Sequence, residues 1–261
     1  MTTFAVRDDR DDSYDKFDAK CYLQHYFELA AVGAKLHQYV SLFSQFPDDS
    51  MTMLNYGGGP DLLPLLYAAH KIKGYVHADY APNNLREVEN WTTGDPSAFN
   101  WQRHLGYCLE LESRGESVER REKRMREVIK AVVHCDMMAE QIIRKEYQGP
   151  YDYVICSGVL DSVCQSTESF STAVKRLSDL VKVGGYLHIE MSYGTDENKC
   201  SGCYEVGGIV YKTVLSVTKA QIIDTIKAQG FRIMHVLQYV DDCEETAGYK
   251  DNAVMVVGRK D

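Results

Sequence analysis

From Pro47 onward, short apolar runs bounded by turn residues alternate with stretches of helical periodicity, and this alternation limits the fold more than any other feature of the chain. The runs read as strands at Met51 to Tyr56, Gly74 to Ala78, Ala131 to Cys135, Tyr153 to Cys156, Tyr186 to Met191, Arg232 to Val240 and Ala253 to Gly258. Helical patterns fall between them at Asp61 to Lys71, Asn83 to Trp91, Met137 to Glu146, Thr167 to Val181 and Thr218 to Gln229. A strand that returns through a helix to a parallel neighbour covers the sheet as it goes. The expected fold is therefore α/β: a doubly wound, mostly parallel seven-stranded sheet with helices on both faces and an antiparallel edge from the last two runs.

Ahead of this pattern, Tyr22, Tyr26, Phe27, Ala30, Leu36, Tyr39, Val40 and Phe43 recur at helical spacing and predict one or two N-terminal helices packed on a core. Thr92 to Arg126 break the rhythm as an insertion, and the alternating signs of Glu110 to Arg126 predict a solvated helix there. A chain of 261 residues, 44% of them hydrophobic, can bury one large core, so a single domain is expected: 1–50 helical, 51–261 the α/β core, with the insertion at about 92–126.

A formal net charge of -9 argues against a nucleic-acid backbone or an anionic membrane as the main partner and for a small molecule. The polar N-terminus lacks the apolar core of a secretory signal, and no run of about 18 apolar residues occurs, so a soluble, cytoplasmic monomer is expected. The eight cysteines then read as free thiols. Cys200 and Cys203 have the spacing of a zinc or redox pair but no second pair to complete four ligands, and no metal is expected.

In "MLNYGGGPDLLPLL", Gly57, Gly58 and Gly59 fall between a strand and a helix, where open α/β sheets bind ligands and where a helix start offers N–H groups. A pyrophosphate would call for a third spaced glycine, and Asp61 would repel it. Asp79 stands 20 residues after Gly59, at the end of the second strand, where an acid can accept ribose hydroxyls. Cys135, Asp136 and Met137 close the third strand, with Asp136 placed for an adenine amino group, and Ser157 closes the fourth. Together these positions describe a nucleoside site without phosphates.

With "FDAKCYLQHYF", "YGGGPDLLPLL", "ADYAPNNLREVENW", "DPSAFNW", "YDYVICSGVLDSVC", "LVKVGGYLHI" and "CYEVGG" in order, the chain resembles the class I S-adenosylmethionine-dependent methyltransferases, and within them the nicotinamide, phenylethanolamine and indolethylamine N-methyltransferase family. The resemblance implies a Rossmann-like fold under an N-terminal helical lid, S-adenosyl-L-methionine as cofactor, S-adenosyl-L-homocysteine as product, and a small amine or pyridine as substrate. It implies cofactor contacts from Tyr22, Tyr26, Phe27, Gly57, Gly58, Gly59, Leu63, Asp79, Tyr80, Asn84, Cys135, Asp136, Met137 and Ser157. Tyr22, Glu190, Met191, Tyr204 and Thr213 would position the substrate.

The chain also departs from the family. Asn55 replaces the acid that often begins the glycine motif, and Phe27 and Leu63 stand where tyrosines are common. Met191 aligns with the Asp that follows the fifth strand in nicotinamide enzymes, and Glu190, one residue earlier, should point to the other face. Of the acids near the final hairpin, Asp241, Asp242, Glu244, Glu245 and Asp251, most read as solvated. Nicotinamide or another pyridine is favoured slightly over an aryl-alkylamine. A silent cofactor-binding protein or a nucleotide-dependent oxidoreductase are the alternatives.

Overall fold

The computed structural model describes residues 12–194, 203–241 and 251–261. Helices α1 (Ala19–Tyr26) and α2 (Leu29–Ser44) lead into β1 (Met51–Tyr56), α3 (Leu63–Ala68), β2 (Ile72–Asp79) and α4 (Pro82–Thr93). Helices α5 (Gln102–Glu112) and α6 (Val118–Val128) precede β3 (Ile129–His134), β4 (Tyr151–Ser157), α7 (Leu160–Val163), α8 (Thr167–Asp179) and β5 (Val181–Ser192). A hairpin of β6 (Cys203–Val206) and β7 (Ile209–Lys212), then α9 (Lys219–Ala228), β8 (Phe231–Asp241) and β9 (Asp251–Lys260), complete the chain.

Seven strands form one sheet in the order β3-β2-β1-β4-β5-β9-β8. The first five are parallel, and β9 is antiparallel to both β5 and β8. The antiparallel strand of the edge hairpin is thus its inner one, while the outermost strand runs with the rest. Successive side chains of a strand point to opposite faces. Met53, Tyr153 and Met255 therefore join Leu36, Phe43, Leu66 and Leu105 in the core on one face, and Leu54, Val154, Ile189 and Val256 join Phe170, Leu177 and Ile222 on the other. Because the chain leaves β1 toward β2 on one side and reaches β4 on the other, the connections part at β1 and β4 and leave a crevice at their carboxyl ends.

Three sequence expectations give way. Met137 to Glu146 is not helical: the Asp136 carboxylate accepts Met138 N at 2.8 Å in an Asx turn, and the chain folds back so that Ile143 bridges Cys135 and Ile142 is buried. Only the short 3-10 turn Lys145–Tyr147 follows. Helix α3 is six residues long rather than eleven and buried all round, so its apolar run carried no amphipathic period. The charged insertion is two helices, and its Arg121 is fully buried, pairing with Glu112 (2.6 Å) and Glu116 (2.9 Å) and donating to the Leu66 carbonyl. Arg120 and Lys123, more than three quarters exposed, keep the solvated character predicted for the run.

Candidate active site

A cavity of about 380 Å³ opens at the carboxyl edge of the sheet, walled by the ends of β1 to β5, by α1 and α2, and by the β6–β7 hairpin. Every residue named from the sequence as a cofactor or substrate contact lines it.

At the end of β1 the glycine loop is fastened from below by β2. Gly57 N and Gly58 N both donate to the Ala78 carbonyl (2.8 and 3.0 Å), and Gly59 N donates to Asp79 Oδ2 (2.8 Å). Gly57 has φ +69, and a Cβ there would lie 2.3 Å from Val159 Cγ2; at Gly58 a Cβ would meet Asn55 Nδ2 at 2.3 Å. These two positions need glycine for backbone and packing reasons before any ligand is considered. The Gly59 carbonyl can only accept, so His77 Nε2 must carry the proton it shares at 2.9 Å. Burial holds the imidazole's pKa below its ordinary value, against the pull of Asp79 and the Gly59 hydrogen bond, and so favours the neutral ring. His77 Nδ1 then accepts from Tyr75 Oη (3.2 Å), which in turn accepts from Asn55 Nδ2 (3.0 Å). The departure at Asn55 is thus one end of a buried donor chain that supports the loop.

The start of α3 does not present the expected free N–H groups. Asp61 Oδ1 accepts Leu63 N at 2.8 Å, and Pro64 has no N–H to offer. Burial pushes the Asp61 carboxyl up to about 7. With these donors consumed and acids at 61 and 79, the loop is unsuited to a pyrophosphate.

Asp79 Oδ1 accepts from Ala81 N (2.8 Å) and Asn84 Nδ2 (2.9 Å). With Gly59 N on its other oxygen, one of the roughly four carboxylate acceptor sites is left toward the cavity. Among the described residues Asn84 Oδ1 is buried without a hydrogen-bond partner, an acceptor that fits a ligand hydroxyl. Tyr80 packs beside His134, and Cys135, a thiol kept protonated by burial, adjoins Asp136 and Met137 on the third wall.

Ser157 ends β4 opposite Glu190 of β5. Glu190 and Met191 turn to opposite faces as strand alternation requires, yet both reach the cavity because they lie at the strand end. The Glu190 carboxylate faces α2, where it accepts from Tyr39 Oη and pairs with Lys35. Asp161, in α7, is a buried acid absent from the sequence reading. Its Oδ2 accepts Ser192 N at 3.0 Å and its carbonyl accepts Val214 N and Leu215 N, which fixes it beside Met191 and Thr213. Tyr14, its hydroxyl pushed up by burial, lies within reach of Tyr204 and Ser162 and near Asp161.

Aromatic rings roof the cavity. Tyr22 packs on Tyr26 (5.2 Å between centroids), Phe27 (5.4 Å) and Tyr204 (6.2 Å), and Tyr204 stacks on Tyr211. Tyr26 Oη donates to the Glu205 carbonyl (3.2 Å) and accepts Glu205 N (3.3 Å), clasping α1 to β6. The hairpin has a sequence signal, Gly207-Gly208 between alternating residues, with φ +58 and +80 as such a turn requires. Lys35 and Tyr39 gave a weaker one, a lysine inside an aromatic stripe. Cys200, Asp242, Glu244 and Glu245 lie outside the described residues, as do the side chains of Cys203, Asp241 and Asp251.

The sheet order, the donor-free glycine loop, the acid ending β2 and the acceptor at Asn84 define a class I methyltransferase that uses S-adenosylmethionine. In fold, the chain is similar to an S-adenosylmethionine-dependent methyltransferase from Methanosarcina mazei, with a TM-score of 0.54 and 13% identity over 84% of this chain and 96% of that one. The chain belongs to the NNMT/PNMT/TEMT family, which it matches over residues 6–261. It is 28% identical to nicotinamide N-methyltransferase of Homo sapiens over 188 residues, 69% of this chain and 71% of that protein. It is 23% identical to phenylethanolamine N-methyltransferase of Macaca mulatta over 250 residues, 92% of this chain and 86% of that protein.

Proposed function

We propose that the chain methylates the amine nitrogen of a small aryl-alkylamine, working as one domain in which α1 and α2 lie over the site. Asp161 carries the choice of acceptor. An aliphatic amine is cationic at neutral pH and needs an acid to offset its desolvation, whereas a pyridine needs none. The acid expected for a pyridine carboxamide is Met191 here, and the buried acid on that wall is Asp161. This reverses the slight preference for nicotinamide drawn from the family segments. The rings of Tyr14, Tyr22 and Tyr204 offer faces to an aromatic group.

On the cofactor side, Gly57, Gly58 and Gly59 border the methionyl chain, Asp79 and Asn84 take the ribose, Asp136 and Met137 the adenine, and Ser157 lies beneath the sulfur. Tyr22, Tyr26 and Phe27 cover the site. S-adenosylmethionine supplies a methyl group already activated by its sulfonium. The protein's work is to hold the nitrogen in line at roughly 3–3.5 Å and exclude water. Asp161 holds the ammonium and receives or relays the proton that frees the lone pair.

Assays of S-adenosylhomocysteine release with tryptamine, phenylethanolamine and nicotinamide test this. At least one amine should turn over faster than nicotinamide, and Asp161→Asn should lower its kcat/KM by about 10²-fold. Nicotinamide as the fastest substrate, or an unaffected Asp161→Asn, would contradict the acceptor assignment.

A further inference from the structure

A carboxylate that enters a largely closed pocket must meet a cation or several N–H donors. The methionyl end of the cofactor carries such a carboxylate beside the glycine loop. The amides of Gly57, Gly58, Gly59 and Leu63 are all engaged within the protein. Among the described residues that line the cavity, Lys35 is the one cation.

Lys35 and Tyr39 sit one turn apart on α2, on the same face. Both hold Glu190 of β5, whose side chain is 6% exposed against 30% for Lys35. The acid is therefore the more deeply buried partner, and both groups line the cavity. The Lys35 ammonium carries three donors and can serve more than one acceptor at once. Asp61, at the glycine loop, feels the charges of both Lys35 and Glu190, which puts the three groups in one electrostatic cluster.

We propose that Lys35 binds the α-carboxylate of the cofactor's methionyl group and that Glu190 and Tyr39 are positioning residues that aim its ammonium. The proposal rests on the S-adenosylmethionine reading. Asp61 completes the match, because its carboxylate beside the loop complements the α-ammonium of the same group. Charge recognition by α2 thus takes a role that the hydroxyl-free Phe27 and Leu63 cannot fill.

The test compares two nucleosides by calorimetric titration: S-adenosylhomocysteine, and 5′-methylthioadenosine, which keeps the adenosine and the thioether but lacks the amino-acid end. Lys35→Met should weaken S-adenosylhomocysteine by about 10- to 100-fold and leave methylthioadenosine within about twofold. Because Lys35→Met strands a buried acid, the double variant Lys35→Met/Glu190→Gln removes both charges and should show the same selective loss. Equal losses for both nucleosides in the double variant, or unchanged S-adenosylhomocysteine binding, would overturn the role of Lys35. Wild-type protein that binds neither nucleoside would overturn the cofactor reading itself, a separate failure.

Discussion

Gly59 is gripped from both sides by one strand, with His77 donating to its carbonyl and Asp79 accepting its N–H. Residues two apart on β2 share a face, so the strand's own period sets the loop height above the sheet. Replacing His77 by Ala strips partners from the Gly59 carbonyl and the Tyr75 hydroxyl and opens a cavity, so urea unfolding should show a loss of about 1–3 kcal/mol or more; a loss below about 0.5 kcal/mol would contradict this support. Asp61 adds a pH signature. Its carboxyl lies above its ordinary value of 3.8, at about 7, because of burial. Its stabilising contribution is therefore complete below pH 3.8 and is lost as pH rises through 7. The stability of wild type relative to Asp61→Asn should fall as pH rises from about 4 to 7 and level off above, and a pH-independent difference would place Asp61 in water.

The helices of the insertion are joined by a buried charge cluster rather than by apolar packing alone. Arg121 of α6 reaches Glu112 at the end of α5 and the carbonyl of Leu66 in α3, so three elements meet at one guanidinium. Arg121→Met should cost about 3–5 kcal/mol by leaving buried acids unpaired, and Arg121→Met/Glu112→Gln should recover part of it in thermal unfolding. A single variant as stable as wild type would show that the cluster contributes nothing. The elements also show what was legible in the chain. Strand ends were, because Gly57, Asp79, Asp136 and Ser157 follow apolar runs at once and need only local pattern to be placed. The fold-back after Asp136 was not, since an Asx turn can outcompete a helical period that the residues still display. Lys35, Asp161 and His77 gain their meaning only from partners 155, 31 and 18 residues away, at Glu190, Ser192 and Gly59.

Across the molecule, buried histidines and the raised carboxyl confine stability from both sides. Burial holds His188 down to about 4 and His70 to about 3, below the ordinary 6.5. The stability they contribute is present above pH 6.5 and is lost as pH falls through 4 and 3. With Asp61 acting in the opposite sense, the urea midpoint should be greatest at about pH 6–7 and fall toward pH 4; a midpoint that rises on acidification would contradict the neutral burial of these rings. Among the described residues no helix is long and apolar enough to cross a membrane.

Two halves of one sheet, meeting where β1 and β4 part, bring the glycine loop, Asp79, Asp136, Met137 and Asp161 around one cavity. Calorimetric titration of the whole chain with S-adenosylmethionine, with NADH as the comparison, tests that claim most directly. The predicted result is one binding site per chain for S-adenosylmethionine, severely weakened in Asp79→Ala, and no heat from NADH. Binding of NADH in its place, or no binding of S-adenosylmethionine by the wild-type chain, would contradict it.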